Sequence, residues 1–225
     1  MIVFHYLSNS PMNISGTVGP DIELSVGEIE RARFNGCHVR ASADPSRRVM
    51  LKDGFLKRCT SDGCWIHGAI IANITVEDLA GGGRMGTWFR GCVFSNVVLK
   101  GRFASPQWQR SVSNDPDVNR LFDADAAKRY ESIDRALDIA EATFQGFTIF
   151  QGIPPALIRR NEPTQFVLHR ECRDEVRAVS STLLVVCKTV ESEPDGVVFT
   201  FGGKSERDKR RAEECSELRE KGLLD

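Results

Sequence analysis

The chain has 225 residues, of which 41% are hydrophobic and 27% are charged, so it can bury a sizeable core and its composition excludes a wholly disordered chain. Thirty lysines and arginines stand against 31 aspartates and glutamates, and this balance gives no reason to expect nucleic-acid binding. The length suits one large domain or two small ones.

The start of the chain, MIVFHYLSNSPM, lacks the basic region and the full apolar region of a signal peptide, so we do not expect secretion. No run approaches the roughly 20 apolar residues that span a bilayer, so no membrane association is expected. The seven cysteines lack the spacing of a disulfide framework, and they indicate reduced thiols in a cytoplasm.

A five-residue period runs through much of the first half of the chain. Small or apolar residues recur every fifth position and are followed two places later by a second such residue. The pairs are Cys59 and Ser61, Cys64 and Ile66, Ala69 and Ile71, Ile74 and Val76, then Thr87 and Phe89, Cys92 and Phe94, and Val97 and Leu99. This period fits neither an α-helix nor a flat strand, so we expect another geometry to turn these positions inward.

The repeats resemble the pentapeptide-repeat family, in which a small residue is followed two places later by a large one. The matching stretches are roughly 32–41, 59–78, 87–103 and 142–151. The resemblance implies a short right-handed quadrilateral β-helix, with about four pentapeptides per coil. Breaks in the phase predict projecting loops at ASADPSRRVMLKDG and AGGGRMG. A plain antiparallel sandwich or meander with accidental spacing is the alternative.

The rest of the chain predicts a helix and a small α+β unit. Asn114, Asp115 and Pro116 are typical of a helix start, and apolar residues at helical spacing predict a helix over about 116–140, with an ambiguous end because Leu137 and Ile139 also fit the five-residue register. After residue 154, the runs TQFVLHR, STLLVVCKTV and GVVFTF predict a small sheet or hairpin, and the tail predicts a helix that stops near Gly222. The predicted fold is therefore mainly β, with a solenoid domain at 1–153 carrying an inserted helix and a C-terminal cap at 154–225.

The sequence offers weak candidates for chemistry, and each has an ordinary structural interpretation. Cys37, Cys59, Cys64 and Cys92 lack the paired spacing of a zinc site and fit the repeat as core residues. His169 and Cys172 could form an imidazole–thiolate pair, although such pairs form through space rather than through sequence spacing. The glycine-rich AGGGRMG segment lacks the established phosphate-binding orders. We predict no catalytic residue, no cofactor and no metal.

The resemblance implies a non-enzymatic protein that recognises a macromolecule, so we expect a binding module, for example an inhibitor or immunity protein that neutralises a toxin or a target enzyme. The predicted contacts are basic and aromatic residues of projecting loops, because arginine and aromatic side chains dominate interface energetics. They are Arg47, Arg48, Lys52, Arg84, Trp88 and Trp108, together with Trp65. Buried packing of Trp65 and Trp88 is an alternative.

Three other functions stay open at this point. The first is a small-molecule enzyme with its site between the solenoid and the C-terminal sheet, using His169 or Cys172. The second is gyrase protection by imitation of DNA, which some pentapeptide-repeat proteins perform, but the slightly basic repeat half speaks against it. The third is a structural or self-associating module. The partner and the oligomeric state are not encoded in any motif.

Overall fold

The computed structural model describes residues 2–5, 12–81, 86–203 and 205–225, and this part of the chain forms strands and α-helices. In chain order the strands are β1 (Ile2–His5), β2 (Asn13–Val18), β3 (Glu23–Glu30), β4 (Arg33–Val39), β5 (Met50–Asp62), β6 (Trp65–His67), β7 (Ile70–Gly81), β8 (Trp88–Arg90), β9 (Val93–Ser95), β10 (Val97–Phe103), β11 (Gln107–Gln109), β12 (Leu137–Phe144), β13 (Phe147–Phe150), β14 (Ile158–Arg159), β15 (Gln165–His169) and β16 (Gly196–Phe201). The helices are α1 (Pro116–Tyr130), α2 (Arg173–Val179), α3 (Leu184–Val190) and α4 (Glu206–Glu220).

The larger sheet is mostly parallel. Its main path of nine strands, β11-β8-β6-β4-β5-β7-β10-β12-β14, is parallel at every step. Strands β2, β3 and β9 add parallel pairs beside this path, and β1 pairs with β2 in the antiparallel sense. The sheet curls into a half-barrel.

The curl arises where residues adopt a left-handed backbone conformation at matched positions of neighbouring strands. These residues recur every five positions, as Asp53, Arg58, Gly63, Gly68, Asn73 and Asp78, and again as Gly91, Asn96 and Gly101. Each one interrupts the in–out alternation of the strand, so inward positions fall two and then three residues apart. A five-residue period of buried side chains follows.

An exposed row of hydrogen-bonded polar side chains links three of these bends. Asn73 Nδ2 donates to Asp53 Oδ1 at 3.1 Å, and Asn96 Nδ2 donates to Asn73 Oδ1 at 3.2 Å. The Arg135 guanidinium donates to Asn96 Oδ1 at 2.8 Å. We call these four residues the asparagine ladder. It joins the bends of β5, β7 and β9–β10 to the segment before β12.

The predicted right-handed quadrilateral β-helix is wrong: the described residues form a mostly parallel, curled half-barrel sheet accompanied by helices α1 to α4, an α/β arrangement. In the predicted coil, each side would be a separate five-residue segment. Strand β5 instead continues through its bends over 13 residues. Partner residues are also unevenly spaced, since Met50 pairs with Ile70, Ile70 with Val93 and Val97 with Leu137, which are offsets of 20, 23 and 40 residues.

The burial that the five-residue pattern predicts is confirmed. Of the fourteen side chains in the seven pairs, all are buried except Ile66 and Phe89, which are partly buried. The pattern therefore identifies the core-facing positions of β5–β10, although it does not identify the sheet to which they belong.

Helix α1 begins where the sequence predicts and ends earlier. Asp115 caps it by accepting hydrogen bonds from the backbone N–H groups of Asp117 and Val118, and Pro116 occupies the first helical position. The helix ends at Tyr130, and Leu137 lies instead at the start of β12. Phe122 is buried against the larger sheet, where a Cβ on Gly68 would lie 2.6 Å from its ring.

The C-terminal part forms a three-stranded antiparallel sheet in the order β13-β16-β15. Helices α2, α3 and α4 contribute buried side chains to a second core beside this sheet. The predicted strand in STLLVVCKTV is wrong, because this segment contains α3, whereas the predicted C-terminal helix is confirmed as α4, and Gly222 follows it with φ of 72°. The predicted domain boundary at 153/154 stays a prediction.

Within the described residues, none of the helices is both long enough and apolar enough to cross a membrane.

Candidate functional site

The predicted basic loop places its side chains in different environments. Arg47 is exposed and donates from Nε to Asp21 Oδ2 at 2.8 Å, and Lys52 Nζ lies 2.5 Å from Glu23 Oε1. Both are therefore surface cations that already have a carboxylate neighbour. Arg84 lies outside the described residues.

Arg48 is an interior residue, with its side chain 1% exposed. Its guanidinium donates to Asp125 Oδ2 at 2.7 Å, to the Gly91 carbonyl at 2.6 Å and to the Phe122 carbonyl at 3.2 Å. The guanidinium carbon also lies 4.3 Å from the centroid of the Phe122 ring. Arg48 thus joins α1 to the larger sheet and is not available as a surface contact for a partner.

The predicted aromatic contacts divide in the same way. Trp108 is 5% exposed, and its ring contacts Phe89, Phe94 and Phe150 in the core. Trp65 and Trp88 are only partly buried, and their rings stack with centroids 5.0 Å apart and planes 8° apart. The tryptophans at the surface are therefore Trp65 and Trp88.

Register explains why these two tryptophans meet. Strands β4, β6, β8 and β11 are parallel neighbours, and His38, Trp65, Trp88 and Gln107 lie at matched positions across them. The next row, Val39, Ile66, Phe89 and Trp108, belongs to the core or packs against it. Because alternate residues of a strand point to opposite sides, the tryptophan row faces outward.

A second outward row makes this surface basic. Arg40 lies two residues after His38, just past the end of β4, and is exposed. His67 and Arg90 lie two residues after Trp65 and Trp88, at matched positions of β6 and β8. The four strand sequences, RFNGCHV, WIH, WFR and QWQ, contain no aspartate or glutamate. We call this surface the aromatic face and define it by His38, Arg40, Trp65, His67, Trp88 and Arg90.

The two histidines of the aromatic face are close to other basic groups. Burial, followed by the charges of Arg90 and His38, lowers the pKa of His67, so its ring is neutral at neutral pH. The Trp65 ring meets the His67 ring edge-on, with centroids 5.9 Å apart. Within the described residues His67 Nε2 is buried and has no hydrogen-bond partner. His38 and His67 are both partly exposed.

The four repeat cysteines lie in or beside the sheet. Their thiols donate to backbone carbonyls, for example Cys64 to Phe34 at 3.4 Å and Cys92 to Ile66 at 3.3 Å. Burial raises the pKa of Cys92 to about 11, so it remains a thiol. In the part of the chain that the structure describes, no group of three or more His, Cys, Asp or Glu side chains is placed to hold a metal ion.

His169 and Cys172 are neighbours but do not form an activated pair. His169 Nε2 lies 2.6 Å from Asp225 Oδ2, whereas the Cys172 backbone N–H donates to the His169 carbonyl at 3.2 Å. Burial, together with the charges of Glu171 and Glu175, raises the pKa of Cys172. The thiolate that a nucleophile requires is therefore disfavoured here.

The enzyme alternative requires a cleft beside the C-terminal sheet. The structure contains a cleft next to the start of β16. It has a volume of about 510 Å³ and lies between α1, the segment 151–157 and the turn 193–196. His169 and Cys172 are not among the described residues that line it. No sequence motif predicts this cleft, because its walls come from five separate parts of the chain.

Among the predicted contact residues that the structure describes, Trp65 and Trp88 stack on one surface. Arg40 and Arg90 extend this surface, although neither was predicted as a contact. The signal available in the sequence is the absence of carboxylates from four short strands that carry aromatic and basic residues. No family model, curated protein or solved structure matches the chain.

Proposed function

We propose that the chain is a non-enzymatic binding module that engages an acidic protein through the aromatic face. We further propose that it acts on this partner as an inhibitor or immunity protein in the cytoplasm. The observation that carries the proposal is the outward stack of Trp65 on Trp88 on four strands that contain no carboxylate.

The composition of the aromatic face suits protein recognition. Tryptophan and arginine are the residues most enriched among those that dominate binding energy at interfaces. Because Trp65 and Trp88 are already stacked, less side-chain freedom is lost when a partner covers them. Arg40 and Arg90 surround the stack with positive charge, which steers an acidic partner and rejects a basic one.

Two features of the whole chain support the remaining parts of the proposal. All seven cysteines are free thiols, which suits a reducing compartment such as the cytoplasm. The near-zero net charge favours a protein partner over nucleic acid, since nucleic-acid binding usually accompanies a strongly basic domain. Gyrase protection by imitation of DNA is not favoured, because a basic face is the opposite of the acidic surface that such imitation needs.

Affinity capture with matched surface variants tests the proposal. The tagged chain is compared with Trp65→Ala/Trp88→Ala, with Arg40→Glu, and with the control Arg210→Glu, which changes an exposed arginine of α4. Nuclease-treated lysate supplies partners, and the affinity of the captured protein is then measured at low and moderate salt. Arg40→Glu is the second face variant because it leaves the tryptophan packing untouched.

We expect one acidic protein to bind the wild type and the Arg210→Glu control. Loss of the tryptophan pair should weaken binding by roughly 30-fold or more, the range of an interface hot spot. Arg40→Glu should weaken binding most at low salt, because it reverses a steering charge. Equal binding by all four proteins would contradict the proposal, and so would a partner that is captured only when the nuclease treatment is omitted.

A further inference from the structure

The cleft between α1 and the second sheet has the size of a small-molecule site. Its volume of about 510 Å³ falls within the roughly 300–1,000 Å³ of known ligand pockets. Phe122, Tyr130, Ile153 and Leu157 contribute apolar wall surface, and Phe122, Tyr130 and Ile153 are themselves buried in the fold. The cleft can therefore cover an apolar body of one or two rings.

A buried carboxyl group, that of Glu193, is part of the cleft lining. The Glu193 side chain is 3% exposed, and both of its oxygens lie 3.2 Å from the backbone N of Gly152. Arg110 Nη1 lies 3.7 Å from Glu193 Oε2, while its Nε lies 3.1 Å from Asp123 Oδ1. One guanidinium is thus shared between two carboxylates, which leaves Glu193 only partly neutralised.

The charged groups that line the cleft are mostly acidic. The acidic residues are Asp123, Glu131, Glu193 and Asp195. Among the described residues that line the cleft, Arg110 is the basic one. Four carboxyl groups around one guanidinium give a negative potential inside apolar walls, where electrostatic attraction is stronger than in water. A cation on an apolar body complements both properties, whereas an anion complements neither.

We propose that the cleft is a binding site for a small amphipathic amine. The ammonium group lies beside Glu193, and the apolar body lies against Phe122, Tyr130 and Ile153. This site is separate from the aromatic face and does not depend on the protein-binding function.

The protonation of Glu193 adds a property that can be measured. Burial raises the pKa of Glu193 to about 7, against the opposing effects of Arg110 and the Gly152 N–H. The other groups that face it are Asp123, Tyr130 and Arg170, whose guanidinium contacts the Glu193 carbonyl at 3.5 Å. A bound ammonium group favours the ionised carboxylate, so amine affinity should rise as the pH increases through about 7.

Three probes of the same shape separate charge from apolar burial: 2-phenylethylamine, 2-phenylethanol and 3-phenylpropanoate. Each is titrated into the full chain, and binding is followed by the amide signals of Gly152 and Asp123 in ¹H–¹⁵N spectra. Three variants accompany the wild type. Glu193→Gln removes the charge, Ala127→Arg adds a cation at an exposed lining position of α1, and Glu220→Gln is the control on α4.

We expect saturable binding of the amine, with the alcohol and the carboxylate at least about tenfold weaker, as for loss of a charged hydrogen bond. Glu193→Gln and Ala127→Arg should each remove this preference, and Glu220→Gln should keep it. Ala127→Arg also keeps the test decisive if Glu193→Gln fails to fold. Absence of saturable amine binding, equal binding of amine and alcohol, or an unchanged preference in both cleft variants would each overturn the proposal.

Discussion

Replacement of Arg48 by methionine tests whether the buried guanidinium holds α1 on the larger sheet. Methionine keeps an apolar stem but removes the hydrogen bonds to Asp125 and to the carbonyls of Gly91 and Phe122. Asp125 keeps its ion pair with Arg129, whose Nε lies 2.9 Å from Oδ2. The main loss of stability therefore comes from the two carbonyls, at roughly 1–3 kcal/mol for each one that loses its buried donor. Loss of the cation–π contact adds about 0.5–1 kcal/mol. We expect the free energy of unfolding to fall by about 3–5 kcal/mol.

The assay is urea unfolding followed by tryptophan fluorescence, and the adjacent residue supplies the control. Arg47 has a 53% exposed side chain paired with an equally exposed Asp21, so Arg47→Met should cost no more than about 1 kcal/mol. Similar small losses in both variants would refute the reasoning, because apolar packing of Phe122 would then be sufficient to hold α1.

Three further predictions concern single side chains. Burial raises the pKa of Glu193 from 4.5 to about 7, so the protonated side chain stabilises the folded state, fully so below pH 4.5. This stabilisation is lost as the pH rises to about 7. At about 1.4 kcal/mol per pKa unit, Glu193→Gln should gain on the order of 3 kcal/mol over wild type between pH 4 and 8 in urea titrations, and a pH-independent difference would contradict this. Asp115→Ala should lower stability by about 1 kcal/mol through loss of the α1 cap, whereas Asp115→Ser should retain most of it; equal thermal-melt losses would argue against capping. Gly101→Ala places a Cβ 2.4 Å from Asp78 Oδ1, at a residue with φ of 77°. Gly27→Ala is the control, because φ is also positive there but nothing lies within 4 Å of the added Cβ. Gly101→Ala should lower the free energy of unfolding by roughly 1–3 kcal/mol more than the control, and equal losses in chemical unfolding would mean that Asp78 moves aside freely.

The sequence predicts which residues of the larger sheet are buried, but not how its strands pair. The five-residue spacing of Cys64, Ala69 and Ile74 results from left-handed residues between them, and this relation is local. Strand pairing is not local, because a strand can find its neighbour 20 or 40 residues away with the same inward pattern. The regular spacing therefore suggested a regular coil, whereas the offsets are uneven.

The candidate sites show the same limit. Arg47 and Arg48 are adjacent in a basic loop, but Arg47 forms a surface ion pair and Arg48 a buried one. The difference arises because α1, more than 70 residues later in the chain, covers Arg48. Glu193 follows α3 and lies between STLLVVCKTV and GVVFTF, two runs that the sequence predicts as strands, so its place in a cleft could not be predicted from the sequence. Trp88 was predicted as a contact, and its stack on Trp65 depends on the register between β6 and β8.

The ends of the asparagine ladder affect how the molecule meets its own copies. In fibrils, stacked amide side chains continue from chain to chain, because each amide offers both a donor and an acceptor to the next. Here Asp53 provides only acceptors at one end, and Arg135 provides only donors and a charge at the other. Neither end presents an amide that a second molecule could extend, which is one way in which proteins prevent edge-to-edge assembly. Arg135→Asn would place an amide at this end of the asparagine ladder and is expected to promote ordered self-association.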